Sequence, residues 1–87
     1  MAASKLDPRT LRAAKEIGRR IQAAREAAGV SQGNLAAKIG MTRGNYARIE
    51  RGAMNVTLDS LLRIAAGLGM TWTFDLRPMR KGRRREP

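Results

Sequence analysis

Glycines divide this chain into short segments, and their placement limits the fold more than any other feature of the sequence. They end four apolar stretches, at Gly29, at Gly40, at Gly52 and at the pair Gly67 and Gly69. Glycine is favoured just after a helix, and Ser, Thr or Asp just before one. Such starting residues precede all four stretches, at Asp7, Ser31, Thr42 and Thr57. The sequence therefore predicts an all-α helical domain from residue 8 to residue 69, after an N-terminal arm of residues 1–7.

Apolar residues recur at steps of three and four within these segments, so each helix has one face suited to a core. In the first helix this face consists of Leu11, Ala14, Ile17, Ile21, Ala24 and Ala28. In the fourth it consists of Leu58, Leu61, Leu62, Ala65 and Leu68. The second and third helices contribute Leu35, Ala36, Ile39, Tyr46 and Ile49. The other face of the first helix carries Arg12, Lys15, Arg19, Arg20 and Arg25. Of these, Arg12, Lys15, Arg19 and Arg20 are expected to be solvated, with Arg19 or Arg20 as a candidate phosphate contact.

The pattern changes after residue 69. From Thr71 to Leu76 apolar and polar residues alternate strictly, which predicts a β-strand within residues 70–77. Its apolar face consists of Trp72, Phe74 and Leu76, and the chain offers no second strand to pair with it. We therefore expect this strand to pair antiparallel with its equivalent in a second copy, so that these three residues form the interface of a homodimer.

The net charge of the chain indicates the class of molecule that it binds. The chain has 18 Lys and Arg against 7 Asp and Glu, a net charge of +11, and residues 78–87 are predicted to be a basic flexible tail. An excess of this size implies a polyanionic partner, most commonly nucleic acid. With no Cys and no His, thiolate and histidine metal sites and histidine-dependent catalysis are excluded. We expect no cofactor, no catalytic residues and no membrane partner, and a cytoplasmic location, since no long apolar run or secretory signal is present.

Residues 31–52 contain two short helices joined by a tight turn at Gly40. This is the pattern of a helix-turn-helix, in which the second helix lies in the DNA major groove. Spacing alone is equally compatible with an ordinary helical hairpin, so at this level both interpretations stay open.

The individual residues favour the helix-turn-helix over the ordinary hairpin. The stretch Ser31-Gln32, Leu35-Ala36, Lys38-Ile39-Gly40, Thr42-Arg43, Tyr46 and Arg48 to Gly52 resembles the Cro and phage-repressor helix-turn-helix proteins, the XRE family, whose domains are lambda-repressor-like. The resemblance extends from about Ile17 to Leu68. The segment from Asn55 to Gly69, with the strand after it, resembles HipB-type antitoxins. That likeness implies a homodimer that represses its own operon and binds a HipA-type kinase toxin.

The resemblance also implies roles for individual residues. It places Gln32 against the DNA backbone and nearby bases, and Arg43, Gly44, Asn45 and Arg48 on the surface that contacts base edges and phosphates. Thr42 is expected mainly to cap its helix and also to touch a phosphate, and Asn55 either contacts a phosphate or caps its loop. Glu50 is expected to be an internal partner of an arginine on the first helix. Tyr46 is expected in the core.

Three functional hypotheses follow. The first is a dimeric repressor that binds an inverted-repeat operator in double-stranded DNA and also serves as an antitoxin. The second is a prophage or restriction-modification regulator with no toxin partner. The third is a basic RNA-associated or ribosome-associated protein, in which the arginine-rich tail makes the main contact.

Overall fold

A computed structural model of the protein describes residues 6–79, which form four helices and no strand. Helix α1 spans Pro8–Ala27, α2 spans Gln32–Lys38, α3 spans Arg43–Glu50 and α4 spans Leu58–Gly67. The all-α prediction is confirmed for this part of the chain. The expectations for residues 1–5 of the arm and residues 80–87 of the tail lie outside the described residues. No helix among residues 6–79 is long and apolar enough to cross a membrane.

Each helix starts at the side chain that the sequence indicated. The Asp7 carboxylate accepts a hydrogen bond from the Arg9 backbone N–H at 2.7 Å. The hydroxyls of the other three caps, Ser31, Thr42 and Thr57, accept from the N–H three residues further on at 3.0–3.1 Å. Gly40 has a φ of +72°, a backbone conformation that other residues rarely adopt, and this allows the sharp turn between α2 and α3.

The core lies where the four helices meet. Its most deeply buried large side chains are those of Tyr46, Ile21, Leu35 and Ile64. Helix α3 packs against both α1 and α2, and α4 packs against α2. The core placement of Tyr46, Leu35, Ala36, Ile39 and Ile49 is confirmed. Because α3 has packed neighbours on two sides, its orientation is set by the body of the molecule.

The predicted apolar faces are correct at their centres and wrong at their edges. In α4, Leu58 and Leu62 are exposed, at 59% and 44% of their surface, whereas Ile64 is buried at 1%. Ile64 lies three residues after Leu61 and four before Leu68, on the face that meets the core. Leu58 and Leu62 lie at the edge of that face, so their spacing to Leu61 and Ala65 does not bring them inside. Leu11, near the start of α1, is likewise exposed.

Gly18 is a structural residue that the sequence analysis did not identify. A Cβ at this position would lie 2.3 Å from the carbonyl oxygen of Glu50 and 2.7 Å from that of Ile49. These distances are far below van der Waals contact, so only glycine fits. The missing side chain lets α1 cross the end of α3 at very close range. An isolated glycine inside an otherwise helical pattern is the signal that points to such a crossing.

The segment after α4 differs from the prediction. Residues 71–79 have no regular secondary structure, so the described chain contains no C-terminal strand. A strand needs a second backbone for its hydrogen bonds, and residues 6–79 provide none. Trp72 is half-buried and packs against the core of its own chain, so much of its side chain is already covered without a second copy. Phe74 and Leu76 are exposed, at 64% and 99%.

Candidate nucleic-acid interface

Helix α3 has one buried face and one exposed face. Tyr46, Ile49 and Glu50 are buried, and the exposed face carries Arg43, Gly44, Asn45 and Arg48. We call these four exposed residues the α3 surface. The division follows the helical period, because residues three or four apart share a face. The structure thus leaves exposed on α3 all four residues that the resemblance assigned to base contacts.

Thr42 and Gly44 shape the start of this surface. The Thr42 hydroxyl accepts the Asn45 backbone N–H at 3.1 Å, which confirms its role as the cap of α3. Its side chain is also exposed, so the cap lies next to the open surface. A Cβ at Gly44 would meet nothing within 4 Å. Gly44 therefore leaves the helix backbone uncovered at the middle of the α3 surface, and packing against the rest of the chain is not the reason for glycine there.

Arg43 lies beside the start of α2. A Cβ built at Gly33 would lie 3.8 Å from Cδ of Arg43, an ordinary contact distance. The aliphatic part of the Arg43 side chain therefore lies close to Gly33 in the first turn of α2. The α3 surface and the beginning of α2 thus form one continuous surface, although they are ten residues apart in sequence.

Gln32 has an internal partner that its predicted role did not include. Its Nε2 donates to Oε1 of Glu50 at 2.9 Å, and its side chain is half-buried. A carboxylate only accepts hydrogen bonds, so the amide nitrogen of Gln32 must face Glu50. The amide of Gln32 is therefore held in one orientation at the edge of the surface.

Glu50 is the centre of a buried polar network that joins α1, α2 and α3. Arg25 donates to it through Nε at 2.6 Å and through Nη2 at 3.2 Å, and the Tyr46 hydroxyl donates to Oε2. The Arg25 Nη1 group also donates to the Val30 carbonyl at 2.8 Å, just before α2. The side chains of Arg25 and Glu50 are only 12% and 4% exposed. Such a pair is favourable only because several hydrogen bonds satisfy both ions.

The network shifts the pKa values of its members. Burial by itself would raise the pKa of Glu50, but hydrogen bonds from Arg25, Tyr46 and Gln32 outweigh it and hold that pKa below its ordinary value. Burial, together with the hydrogen bond to Glu50, raises the pKa of the Tyr46 hydroxyl. The hydrogen bond to Glu50 raises the pKa of Arg25. The carboxylate is therefore charged and the phenol neutral at neutral pH.

The sequence pattern placed Arg25 on the face of the first helix opposite the apolar residues, with the other basic residues. It is instead the arginine of the first helix that pairs with Glu50, and the expectation of such an internal pair is confirmed. Position 25 lies at the border of the buried face, four residues after Ile21. The long Arg25 side chain reaches inward from this position because its guanidinium group pairs with the buried Glu50 carboxylate.

The remaining candidates lie on other parts of the surface. Asn55 is exposed in the loop before α4 and borders a groove with Arg9 and Thr10 of α1. Arg19 and Arg20 both pair with Glu16 on the exposed side of α1, Arg20 at 2.8 Å. Such ion pairs at the surface contribute little free energy, and both guanidinium groups stay accessible. Within residues 6–79, no group of acidic residues is arranged to hold a metal ion.

Comparison with known proteins agrees with this geometry. A family model described as "Helix-turn-helix" (HTH_3) matches residues 21–74. An uncharacterized HTH-type transcriptional regulator, y4dL of Sinorhizobium fredii (strain NBRC 101917 / NGR234), is 39% identical over 56 residues, which are 64% of this chain and 29% of that protein. The control protein C.MunI of a Mycoplasma species is 45% identical over 47 residues, 54% of this chain and 64% of that protein. The chain thus spans less than two thirds of either relative.

Proposed function

The chain belongs to the helix-turn-helix family HTH_3, and from this we propose that it is a sequence-specific DNA-binding regulator of transcription. The observation that carries the proposal is the α3 surface. Its four residues are exposed together on the second helix of the motif, and two of them are arginines. In helix-turn-helix proteins this helix enters the major groove and its side chains contact base edges.

The side chains available suit this task. Arg43 and Arg48 each have the planar guanidinium that donates two hydrogen bonds to O6 and N7 of guanine, and Asn45 has the amide that pairs with adenine. Thr42 and Gln32 lie at the border of the α3 surface, and Asn55 lies elsewhere on the exposed surface. All three have polar groups suited to phosphate contacts, which position the protein without conveying sequence. Gly44 contributes no side chain and allows the helix to approach the bases closely.

The proposed regulator acts as a homodimer. Phe74 and Leu76 are exposed apolar residues that follow α4, and pairing of this segment between two copies would bury them. A two-fold dimer presents two α3 helices, which fit successive major grooves about 34 Å apart. We therefore propose an inverted-repeat operator and repression by occupancy of that operator.

The wider biological role has two candidates. A regulator without a toxin partner, of the prophage or restriction-modification kind, is favoured by the similarity to the control protein C.MunI. An antitoxin that binds a HipA-type kinase toxin rests on the resemblance of residues 55–69 and the predicted strand to HipB-type proteins. Co-purification of the chain with the products of its neighbouring genes distinguishes the two, because only an antitoxin retains a kinase-like protein.

The experiment that tests DNA recognition is selection of binding sites from a pool of random duplexes, followed by titration of the selected duplex. Arg43→Ala and Arg48→Ala are each expected to lower discrimination between the selected and a scrambled duplex by about 1–3 kcal/mol, roughly 5-fold to 150-fold. Arg12→Ala, on the exposed side of α1, removes the same charge outside the α3 surface and is the matched control. Equal loss in all three variants would contradict the assignment.

The same titration tests the RNA-associated alternative. That hypothesis requires that duplex sequence has no effect and that removal of residues 80–87 abolishes binding. Retention of a selected sequence preference by the truncated chain contradicts it.

A further inference from the structure

A cavity of about 130 Å³ is lined by α1, by α4 and by the residues that follow α4. Most of its wall is apolar and consists of Ile21, Ala24, Ile64, Ala65, Leu68 and Met70. An apolar protein cavity of about 150 Å³ is known to hold one benzene molecule. The cavity described here is therefore large enough for one apolar group close to that size.

The polar side chains in the wall of the cavity are mainly hydrogen-bond donors. They belong to Arg20, Thr71 and Trp72. A guanidinium group and an indole N–H donate hydrogen bonds and accept none, whereas a threonine hydroxyl does both. None of the residues that line the cavity, all of them within the described part of the chain, is acidic. The wall therefore suits a ligand that accepts hydrogen bonds and does not suit an amine.

The indole N–H of Trp72 has no acceptor. Its Nε1 atom is buried and has no hydrogen-bond partner among residues 6–79, and a buried donor without an acceptor is unfavourable. The structure shows no hydrogen bond between backbone groups within residues 71–79, so the indole is held by its packing against the core. A small rotation of the indole toward an acceptor in the cavity would thus add a hydrogen bond. Water is a poor acceptor in such a place, because an ordered water needs two to four polar partners.

Arg20 supplies positive charge at the opening of the cavity. Its side chain is 67% exposed although it lines the cavity, so it lies between the cavity and solvent. Its Nε donates to Glu16 at 2.8 Å, and Arg19 pairs with the same carboxylate. The terminal amino groups of Arg20 make no hydrogen bond to residues 6–79. These groups are therefore able to donate to an anion at the opening.

We propose that this cavity binds a small apolar monocarboxylate. The hydrocarbon group of the ligand fills the cavity, and its carboxylate accepts hydrogen bonds from the Arg20 guanidinium and from Nε1 of Trp72. None of the lining residues belongs to α2 or α3, so the site is separate from the α3 surface and does not rest on the proposed function. A ligand that binds only the folded chain also stabilises the fold.

Other classes of small molecule match only part of this site. A neutral hydrocarbon fills the volume but leaves both donors unpaired. An amine with the same hydrocarbon group brings a positive charge next to Arg20. A carboxylate without a hydrocarbon group, such as acetate, pairs with Arg20 but removes little apolar surface from water. Selectivity for a ligand with both parts is therefore the property that identifies the site.

Titration of the full chain with phenylacetate tests the proposal. Trp72 is the single tryptophan, so the chain has one indole N–H signal in a proton–nitrogen NMR spectrum. We expect a saturable downfield shift of this signal, with a dissociation constant in the millimolar range or tighter for a ligand of this size. Acetate lacks the ring, and benzylamine has an ammonium group in place of the carboxylate. At equal ionic strength, each is expected to bind at least tenfold more weakly than phenylacetate.

Two variants locate the bound ligand. Arg20→Gln removes the charge at the opening and is expected to weaken binding of phenylacetate roughly tenfold. Arg19→Gln is the matched control, because Arg19 pairs with the same Glu16 but does not line the cavity. Ala24→Leu fills the cavity with its own side chain and is expected to abolish saturable binding while the circular dichroism spectrum stays helical. If Ala24→Leu does not fold, the two arginine variants still decide, because both side chains are exposed.

Each contrary outcome overturns a stated part of the proposal. Absence of a saturable shift with phenylacetate overturns the site. Equal binding of acetate means that the basic surface alone attracts the anion, and equal binding of benzylamine removes the role of the carboxylate. Equal weakening by Arg20→Gln and Arg19→Gln, or full binding by folded Ala24→Leu, places the ligand outside the cavity. Selection of a duplex site is measured without these ligands, so either result stands when the other fails.

Discussion

At the scale of single residues, Glu50 determines how the candidate interface is held. One carboxylate accepts hydrogen bonds from a residue of each of three helices: Arg25 of α1, Gln32 of α2 and Tyr46 of α3. Since the carboxylate is buried, each partner lost must be replaced by another or left as an unfavourable charge. The stability of the motif and the orientation of Gln32 therefore depend on the same residue.

Substitution of Glu50 tests this dependence. Glu50→Gln is expected to lower the free energy of unfolding by about 3–5 kcal/mol, because it leaves Arg25 nearly buried without its counter-charge. Tyr46→Phe removes one hydrogen bond to a charged group and is expected to lower it by about 1.5–3 kcal/mol. Urea denaturation followed by circular dichroism measures both. A loss for Glu50→Gln no larger than that for Tyr46→Phe would mean that the ion pair contributes little.

The pH dependence of stability follows from the lowered pKa of Glu50. A carboxyl group whose pKa is lower in the folded chain stabilises the fold fully at pH values above its unfolded pKa. That contribution is lost as the pH falls through the folded pKa. With an ordinary value of 4.5, the stability supplied by Glu50 is expected to be complete above about pH 5 and to decline below pH 4.5. Denaturation midpoints from pH 7 to pH 3 measure the decline. In Tyr46→Phe the decline should begin at the same pH but be smaller and end at a higher pH, because that variant lowers the pKa of Glu50 less.

At the scale of helices, the crossing of α1 and α3 at Gly18 sets the position of the candidate interface. The Glu50 carbonyl at the end of α3 occupies the space that a Cβ would need. The crossing and the Glu50 network lie at the same end of α3, so together they fix how far this helix stands out from the body of the molecule.

Gly18 has no room for a side chain, whereas Gly44 faces open space, so alanine substitutions at these two positions should have different effects. Gly18→Ala is expected to destabilise the chain by about 1–3 kcal/mol or more, because the clash is with backbone and forces α1 and α3 apart. Gly44→Ala is expected to stabilise it by about 0.5–1 kcal/mol, because alanine favours helix and meets no neighbour there. Thermal unfolding of the two variants measures the difference. An unchanged or raised unfolding temperature for Gly18→Ala would contradict the close crossing.

The helices were predictable to the extent that local chemistry determines them. Caps such as Ser31 and Thr42 act on backbone groups within three residues, so the sequence around them contains the whole interaction. Gly18, Arg25 and Leu58 depend on elements distant in sequence. Spacing alone does not distinguish an apolar residue that meets another helix from one at the edge of the contact.

At the scale of the whole molecule, the proposed function assigns general attraction to nucleic acid to the net charge of +11, and selectivity to the α3 surface. The residues of that surface were predictable because they belong to a continuous motif. The internal bond of Gln32 was not, because it depends on the packing of α2 against the end of α3. The dimeric strand depends on contacts that no single chain contains, and it stays a prediction.

Salt dependence separates the two contributions to DNA binding. Affinity for the selected duplex is expected to fall steeply between about 50 and 200 mM salt, with a slope near −0.9 for each phosphate neutralised. A substitution of an arginine that contacts only phosphate reduces that slope by about one and lowers specific and nonspecific binding alike. Titrations of Arg19→Ala and Arg48→Ala at four salt concentrations measure both quantities, and an unchanged slope for Arg19→Ala removes it from the candidate phosphate contacts.

The network around Glu50 has a consequence for the energetics of recognition. Arg25 and Gln32 are long side chains with many rotamers, and their hydrogen bonds to Glu50 fix those rotamers when the chain folds. Ordering a flexible side chain during association lowers affinity by about 0.5–1.5 kcal/mol for each one. For Gln32 this entropy is already lost before any duplex arrives. When the protein surface is ordered before binding, affinity depends more on the duplex sequence and less on the entropy that protein side chains lose.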